Sequence, residues 1–328
     1  MTADRRPTIP HRRATTLVTL VAPVVLTAVA VLVALTWADE LPDPVATHWG
    51  TAGTPDDFST LGGALLLLGL TSVVLSLSCW VLALRLGAEA TTRRVAAGTS
   101  VGMAALLAVL VVGSLALQRG LDDARDAGPI TGVVAAAFAT GLVLGVVAAL
   151  LLPGDPDVVT SDVPPADAAR LPLAPGERAA WTASVWSPAA IGVALPVIAL
   201  QVVLSIVLDT WLLLAIAAVL AALLATMLVL RVTVSAAGLV ARSPLGWPRV
   251  RVPLEQVVAA HAETVSPLRD FGGWGYRVAL DGRAGFVLRA GDALVVERTG
   301  GRTTVVTVDD AATGAALLNT LAERARVS

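Results

Sequence analysis

Lysine is absent from this 328-residue chain, and cysteine occurs once, at Cys79. A single thiol excludes an intramolecular disulfide and any cysteine-based metal site. Cys79 lies in an apolar stretch, where it serves as a small filler. All 23 basic residues are therefore arginine. Together with heavy Ala, Val and Gly usage, this reads as the codon bias of a GC-rich bacterial genome. Charged residues make up 15% of the chain, against roughly 25% in an ordinary soluble domain. The formal net charge of −2 offers no global basic field for nucleic acid. Motifs for covalent or metal-assisted catalysis are missing too. There is no His-Glu-x2-His helix, no phosphate-cradling glycine loop and no nucleophile–base pair. These absences point to a non-enzymatic protein without a cofactor or metal.

What is present is a series of hydrophobic runs. They cover residues 14–36, 61–84, 95–117, 130–152, 188–208 and 211–230, and none contains Lys, Arg, Asp or Glu. About 20 apolar residues suffice to cross a hydrocarbon core of about 30 Å. The expected architecture is six transmembrane helices followed by a soluble tail. The first run follows Arg5, Arg6, Arg12 and Arg13 but exceeds the roughly 7–15 residues of a secretory apolar core, so it reads as a retained anchor.

Arginine placement sets the expected orientation. The loop at 38–60 has no arginine and carries Asp39, Glu40, Asp43, Asp56 and Asp57, whereas Arg85, Arg93 and Arg94 follow the second run. N-terminus and tail are thus expected in the cytoplasm of a bacterial cell, beneath the plasma membrane. The 118–129 loop fits least well, because Arg119 and Arg125 would lie outside beside Asp122, Asp123 and Asp126. Trp37, Trp186 and Trp211 lie at run ends, where indoles favour the headgroup level. Polar residues within the runs are uncharged, mostly hydroxyls, which argues against a pump or transporter. The spacings Gly98-x3-Gly102 and Gly141-x3-Gly145 favour close helix packing within the molecule over a dimer seam.

The domain plan has a cytoplasmic tail at 1–13 and a four-helix membrane region at 14–152. A Pro-rich linker at 153–187 reads as extended, and a helical hairpin follows at 188–230. Just before the fifth run, residues 176–181 read as an interfacial segment or a strand lent to the tail. From 231 the period changes to two. Strands are expected over 230–235, 239–242, 249–252, 257–264, 276–280, 285–289, 294–298 and 303–308, then a helix capped by Asp309 or Asp310 and buried through Leu317, Leu318 and Leu321. An antiparallel β domain closed by one helix results.

This order resembles bacterial pleckstrin-homology-like domains. The stretch Phe271-Gly272-Gly273-Trp274-Gly275-Tyr276-Arg277 and the close Thr307-Val308-Asp309-Asp310 before an Ala/Leu helix carry the likeness. The resemblance implies binding or scaffolding of a cytoplasmic protein, with Trp274 and Tyr276 as a recognition patch or as ordinary strand packing. Arg242, Arg249 and Arg251 are too sparse in sequence to form a headgroup pocket.

The sharpest motif lies in the first loop, at 41–58. Pro44, His48, Trp49, Gly53, Pro55 and Asp56 form a Pro-x3-His-Trp … Gly-x-Pro-Asp pattern. It is similar to a domain of unknown function at the N-terminus of Sdp-type immunity membrane proteins. Gly50 departs from the Asn usual there. The resemblance implies an immunity or signal-transduction role, with the loop binding an extracytoplasmic ligand or peptide. His48 and Trp49 could instead pin the loop to the membrane surface, or His48 could join Asp43, Asp56 or Asp57 around a metal. His11 reads as solvated and His261 as a structural strand residue. The expected function is a bilayer-embedded sensor engaging a ligand outside and a protein inside. The alternative is an assembly scaffold that homo-oligomerises through its tail.

Overall fold

The computed structural model describes residues 8–327 apart from 51–52, 157, 162, 208–213, 216, 219–220, 223–228, 245 and 247–248. The chain divides into two compact units, one of Ile9–Asp155 and one containing Pro156–Ser328.

The first unit holds four helices, each long and apolar enough to cross a membrane. They are α1 (Arg12–Leu35), α2 (Leu61–Leu86), α3 (Ala90–Ala116) and α4 (Thr131–Leu151). Within α1, Leu17–Val21 winds as a π-turn just before Pro23. A wider turn accommodates a residue that has no N–H to give. Large apolar side chains such as Leu66, Leu142 and Leu150 point outward, while the buried helical positions are mostly Ala, Gly, Ser and Thr. This inversion of a water-soluble core is expected where lipid is the solvent and helices gain by close packing. Hydroxyls join the helices: Thr27 and Ser72 share a 2.5 Å bond, Ser100 donates to the Thr19 carbonyl, and the Trp80 indole donates to Thr16.

The tightest seam runs between α3 and α4. A Cβ built on Gly98 would lie 2.9 Å from the Gly145 carbonyl oxygen, and one on Gly102 would lie 2.8 Å from that of Gly141. The two glycine pairs therefore face each other within one chain, as the spacing predicts. At one end of the bundle Arg93 is fully buried and donates to the carbonyls of Gly87, Ala88, Pro153 and Gly154 and to Asp155. One guanidinium thus satisfies the α2–α3 turn and the end of α4 together.

In the second unit, β3 (Trp181–Trp186), β4 (Val229–Ser235), β5 (Gly238–Arg242) and β6 (Arg249–Val252) form a sheet in the order β3-β4-β5-β6. The other sheet has the order β7-β10-β11-β9-β8. Its strands are β7 (Val257–Val265), β8 (Gly275–Val278), β9 (Ala284–Val287), β10 (Gly291–Arg298) and β11 (Arg302–Thr307). Helix α5 (Pro188–Val207) leaves β3, a short α6 (Pro267–Phe271) precedes β8, and α7 (Ala311–Val327) ends the chain. Alternate residues of β4, Leu230, Val232 and Val234, join Leu239, Val252, Phe286 and Leu294 and the α7 leucines Leu317, Leu318 and Leu321 in one core. Each buried Leu or Val in such a core contributes about 1.5–3 kcal/mol.

Three readings of the sequence change here. First, β9 and β11 are parallel, with Thr304 opposite Ala284. The strand between them in sequence, β10, lies on the far side of β11, so the sheet is not wholly antiparallel. Second, of the two alternatives for the segment before the fifth run, the strand lent to the tail is the one formed, shifted to 181–186 and paired to β4 from Trp181↔Val234 to Trp186↔Val229. Third, part of the proline-rich stretch is packed. Leu171 and Leu173 lie against the core, Leu171 exchanges bonds with the Thr320 hydroxyl, and Arg170 pairs with Glu323 at 2.6 Å. Polar side chains of α7 satisfy a segment that has no ladder of its own. The fifth run corresponds to α5, whose described part exposes apolar side chains such as Leu200 and Ile206. The sixth run, with Trp211, lies largely outside the described residues.

Candidate functional site

The loop between α1 and α2 folds as a hairpin, which the sequence reading leaves irregular. Strands β1 (Val45–Trp49) and β2 (Pro55–Ser59) pair from Val45↔Ser59 to Trp49↔Pro55, with register shifts on either side of His48. The turn closes by bonds from the Gly50 N–H to the Thr54 carbonyl and from the Gly53 N–H to the Gly50 carbonyl, each 2.9 Å. Gly53 sits at φ +77°, a left-handed conformation that glycine adopts without a Cβ penalty. The motif's glycine is thus a turn residue.

Three anchors hold the hairpin over the helix ends. Val45 is buried with Ala34, Leu65 and Leu115. Gln118, also fully buried, accepts from the Ala46 N–H at 2.7 Å and donates to the Ala46 carbonyl at 3.0 Å, so a side-chain amide extends the ladder by one residue. The Trp49 indole N–H donates to the Gly128 carbonyl at 3.1 Å. The α3–α4 connection therefore belongs to the same cap as the α1–α2 loop. Its arginines are offset there. Arg119 pairs with Glu40 at 2.6 Å and lies over the Trp37 ring, while Arg125 pairs with Asp123 and lies over Phe58. The Arg125 N–H beside it holds the Asp123 carboxyl below the usual carboxylate range. The two arginines that fit the charge rule least are thus paired locally.

The motif residues are brought together but differ in setting. Pro44, His48 and Asp56 are exposed, and Trp49, Gly53 and Pro55 are half-buried. His48 Nδ1 and Asp56 Oδ1 lie 2.5 Å apart. A Cβ on Gly50 would come 2.7 Å from Asp56 Oδ2, so the departure from Asn leaves this carboxylate its place beside His48. Among the described residues, no three His, Cys, Asp or Glu side chains gather as a metal-holding group.

Beneath the hairpin is a cavity of about 450 Å³. Its roof is Ala46–Trp49, and its walls come from α2 (Leu67, Leu68, Thr71) and α3 (Leu107, Leu110, Ser114). Apolar walls with a few hydroxyls and one imidazole at the rim suit a molecule with an apolar body and a polar end.

These contacts all lie between the second half of α1 and the early part of α2, joined by α3 and the start of α4. Residues 25–71 match the model of a domain of unknown function, DUF1648. No curated protein and no solved structure matches the chain. The DUF1648 segment comprises the hairpin and the helix ends that carry it, but Gln118 and Gly128 come from beyond it. Sequence reasoning missed Gln118. The available signal was an amide at the end of an otherwise apolar run.

The second unit holds the other predicted pair. Tyr276 stacks edge-on against Phe286, centroids 5.3 Å apart, and packs against the core. Trp274 is half-buried, and its carbonyl accepts from Arg277 Nε at 2.9 Å. Tyr276 is thus engaged in the strand packing that aromatic residues usually provide. At the start of α7, Asp310 accepts from the Thr313 hydroxyl at 2.6 Å and from the Trp181 indole at 3.3 Å. The Thr313 hydroxyl foremost holds this carboxyl below its usual range.

Proposed function

We propose that this protein is a non-enzymatic, six-span membrane protein that binds an extracytoplasmic ligand beneath the β1–β2 hairpin and a cytoplasmic protein through its C-terminal domain. The N-terminus and the tail face the cytoplasm. The tail is read as pleckstrin-homology-like, and the DUF1648 segment as the receptor portion of an Sdp-type immunity or signalling protein. The observation that supports this reading best is the cavity of about 450 Å³ roofed by the motif itself. A loop serving only as a membrane pin needs no such space below it. Ligand sites commonly fall in the range of roughly 300–1,000 Å³, mostly apolar with a few placed polar groups. The ligand is accordingly an amphiphile or apolar peptide whose polar end meets His48 and Asp56.

The test is photocrosslinking in living cells. A diazirine amino acid at position 47 of the full chain is expected to give a discrete adduct by mass spectrometry. Leu110→Trp, which fills the cavity, is expected to abolish it. Labelling of bulk phospholipid alone, or an adduct unaffected by Leu110→Trp, rejects the reading.

A further inference from the structure

The sheet β3-β4-β5-β6 has one face in the core and one in solvent, and the solvent face collects arginine. Register places Arg231 of β4 directly opposite Arg242 of β5, and Arg242 opposite Arg249 of β6. Three arginines widely spaced in sequence therefore form one rank across three adjacent strands. Arg251 lies two residues beyond Arg249 on the same face, opposite Val240. All four are exposed. The described outward positions around them are Thr182, Ser184, Thr233 and Val240, with no carboxylate. None of the ion pairs among the described residues involves any of the four. Like charges directly opposite one another destabilise a sheet. An uncompensated rank of three calls for an external anion.

The rank has a fixed place along the strands. It lies two residues from Val229 and Trp186, the paired residues at the end of the β3–β4 ladder. Immediately past that end, β3 continues into the apolar helix α5, and β4 emerges from the apolar run at 211–230. Two residues of strand are about 7 Å. Trp186, on the same outward side, is 57% exposed, as suits an indole at headgroup depth.

We infer that this arginine face docks on the anionic phospholipid headgroups of the bilayer that α5 enters. The inference rests on the reading that residues 188–230 insert into the membrane. A nucleic acid would meet the same charge, but a flat face tethered within two residues of an apolar helix meets headgroups first. Docking holds the sheet against the bilayer and makes the posture of the C-terminal domain depend on lipid charge and salt.

The experiment is phenylglyoxal footprinting of the full-length protein in nanodiscs, read by mass spectrometry. In discs containing phosphatidylglycerol, modification of Arg231, Arg242 and Arg249 is expected to slow severalfold relative to phosphatidylcholine discs. Arg269, on α6, is expected to react equally in both. Protection is expected to vanish in about 1 M salt, where the screening length falls to about 3 Å. Replacing Arg231→Gln and Arg242→Gln together is expected to abolish the protection of Arg249, because each charge removed weakens association by roughly fivefold. Equal reactivity in the two lipids, or protection unchanged in the double variant, overturns the inference. So does protection by a short RNA oligonucleotide in phosphatidylcholine discs without any effect of phosphatidylglycerol. A Leu200→Cys reporter in a Cys79→Ser background separates the two levels. If it reacts with a water-soluble maleimide, the insertion reading fails and the docking falls with it. If it is protected while the arginines ignore lipid charge, only the docking fails.

Discussion

Single amides fasten strands in both units. Gln118 binds the N–H and carbonyl of Ala46, and Asn319 on α7 binds those of Ala260 at 2.8 and 2.9 Å. Each supplies a donor and an acceptor to a strand residue that would otherwise bury both groups unpaired. Gln118 also donates to the Ser114 carbonyl at 3.0 Å, which fixes its rotamer against the last turn of α3. Gln118→Leu keeps the volume but leaves Ala46 unsatisfied, at about 1–3 kcal/mol for each buried group. The hairpin is expected to open roughly thirtyfold more often for a loss near 2 kcal/mol. Amide exchange of residues 45–49 in detergent would show this, with exchange in α4 unchanged. Exchange at the wild-type rate would mean that Val45 and Trp49 suffice as anchors.

At the level of elements, the first unit is built by close approach and not by bulk. The α3–α4 seam allows backbone against backbone because Gly98, Gly102, Gly141 and Gly145 carry no side chains. In lipid there is little hydrophobic gain from burying leucine between helices, so dispersion across a narrow seam has to supply the association. Gly102→Leu would drive its Cβ into the Gly141 carbonyl and is expected to destabilise the bundle by about 1–3 kcal/mol or more. Gly132 lies on α4 with nothing near its missing Cβ, and Gly132→Ala is expected to be tolerated. Unfolding in increasing dodecyl sulfate, followed by helicity, compares the two. Equal stability of both variants would contradict an intramolecular seam.

At the scale of the whole molecule, the proposed topology sets the hairpin and the C-terminal domain on opposite sides of the bilayer. Arg119 and Arg125 at the hairpin end pair with Glu40 and Asp123, whereas no ion pair among the described residues involves Arg231, Arg242 or Arg249. A surplus of arginine close to span ends is what favours the cytoplasmic side. In a Cys79→Ser background, a cysteine replacing His48 is expected to react with an impermeant maleimide in intact cells. One replacing the exposed Glu297 is expected to react only after permeabilisation. Labelling of both from the same side would reverse or abolish the assigned orientation.

Much of this arrangement is legible in the residues. The four long apolar runs, the small-residue spacing of the seam, the eight strands of the tail and the leucine stripe of α7 follow from period and composition, because each is a local pattern read against one solvent. Three features resisted that reading. The hairpin at 45–59 looked irregular because its second strand is acidic and its first is anchored by Gln118, distant in sequence. Segment 181–186 was legible only as one of two alternatives, and pairing to β4 decides for the strand. Arg242, Arg249 and Arg251 looked sparse along the chain, and strand register gathered them with Arg231 on one face. Sequence by itself thus determined which segments seek lipid and which alternate toward a core, since those preferences are carried by neighbouring side chains. Tertiary structure alone decided which distant groups meet over the cavity and across the arginine face, since that depends on strand pairing and helix contact between residues far apart in the chain.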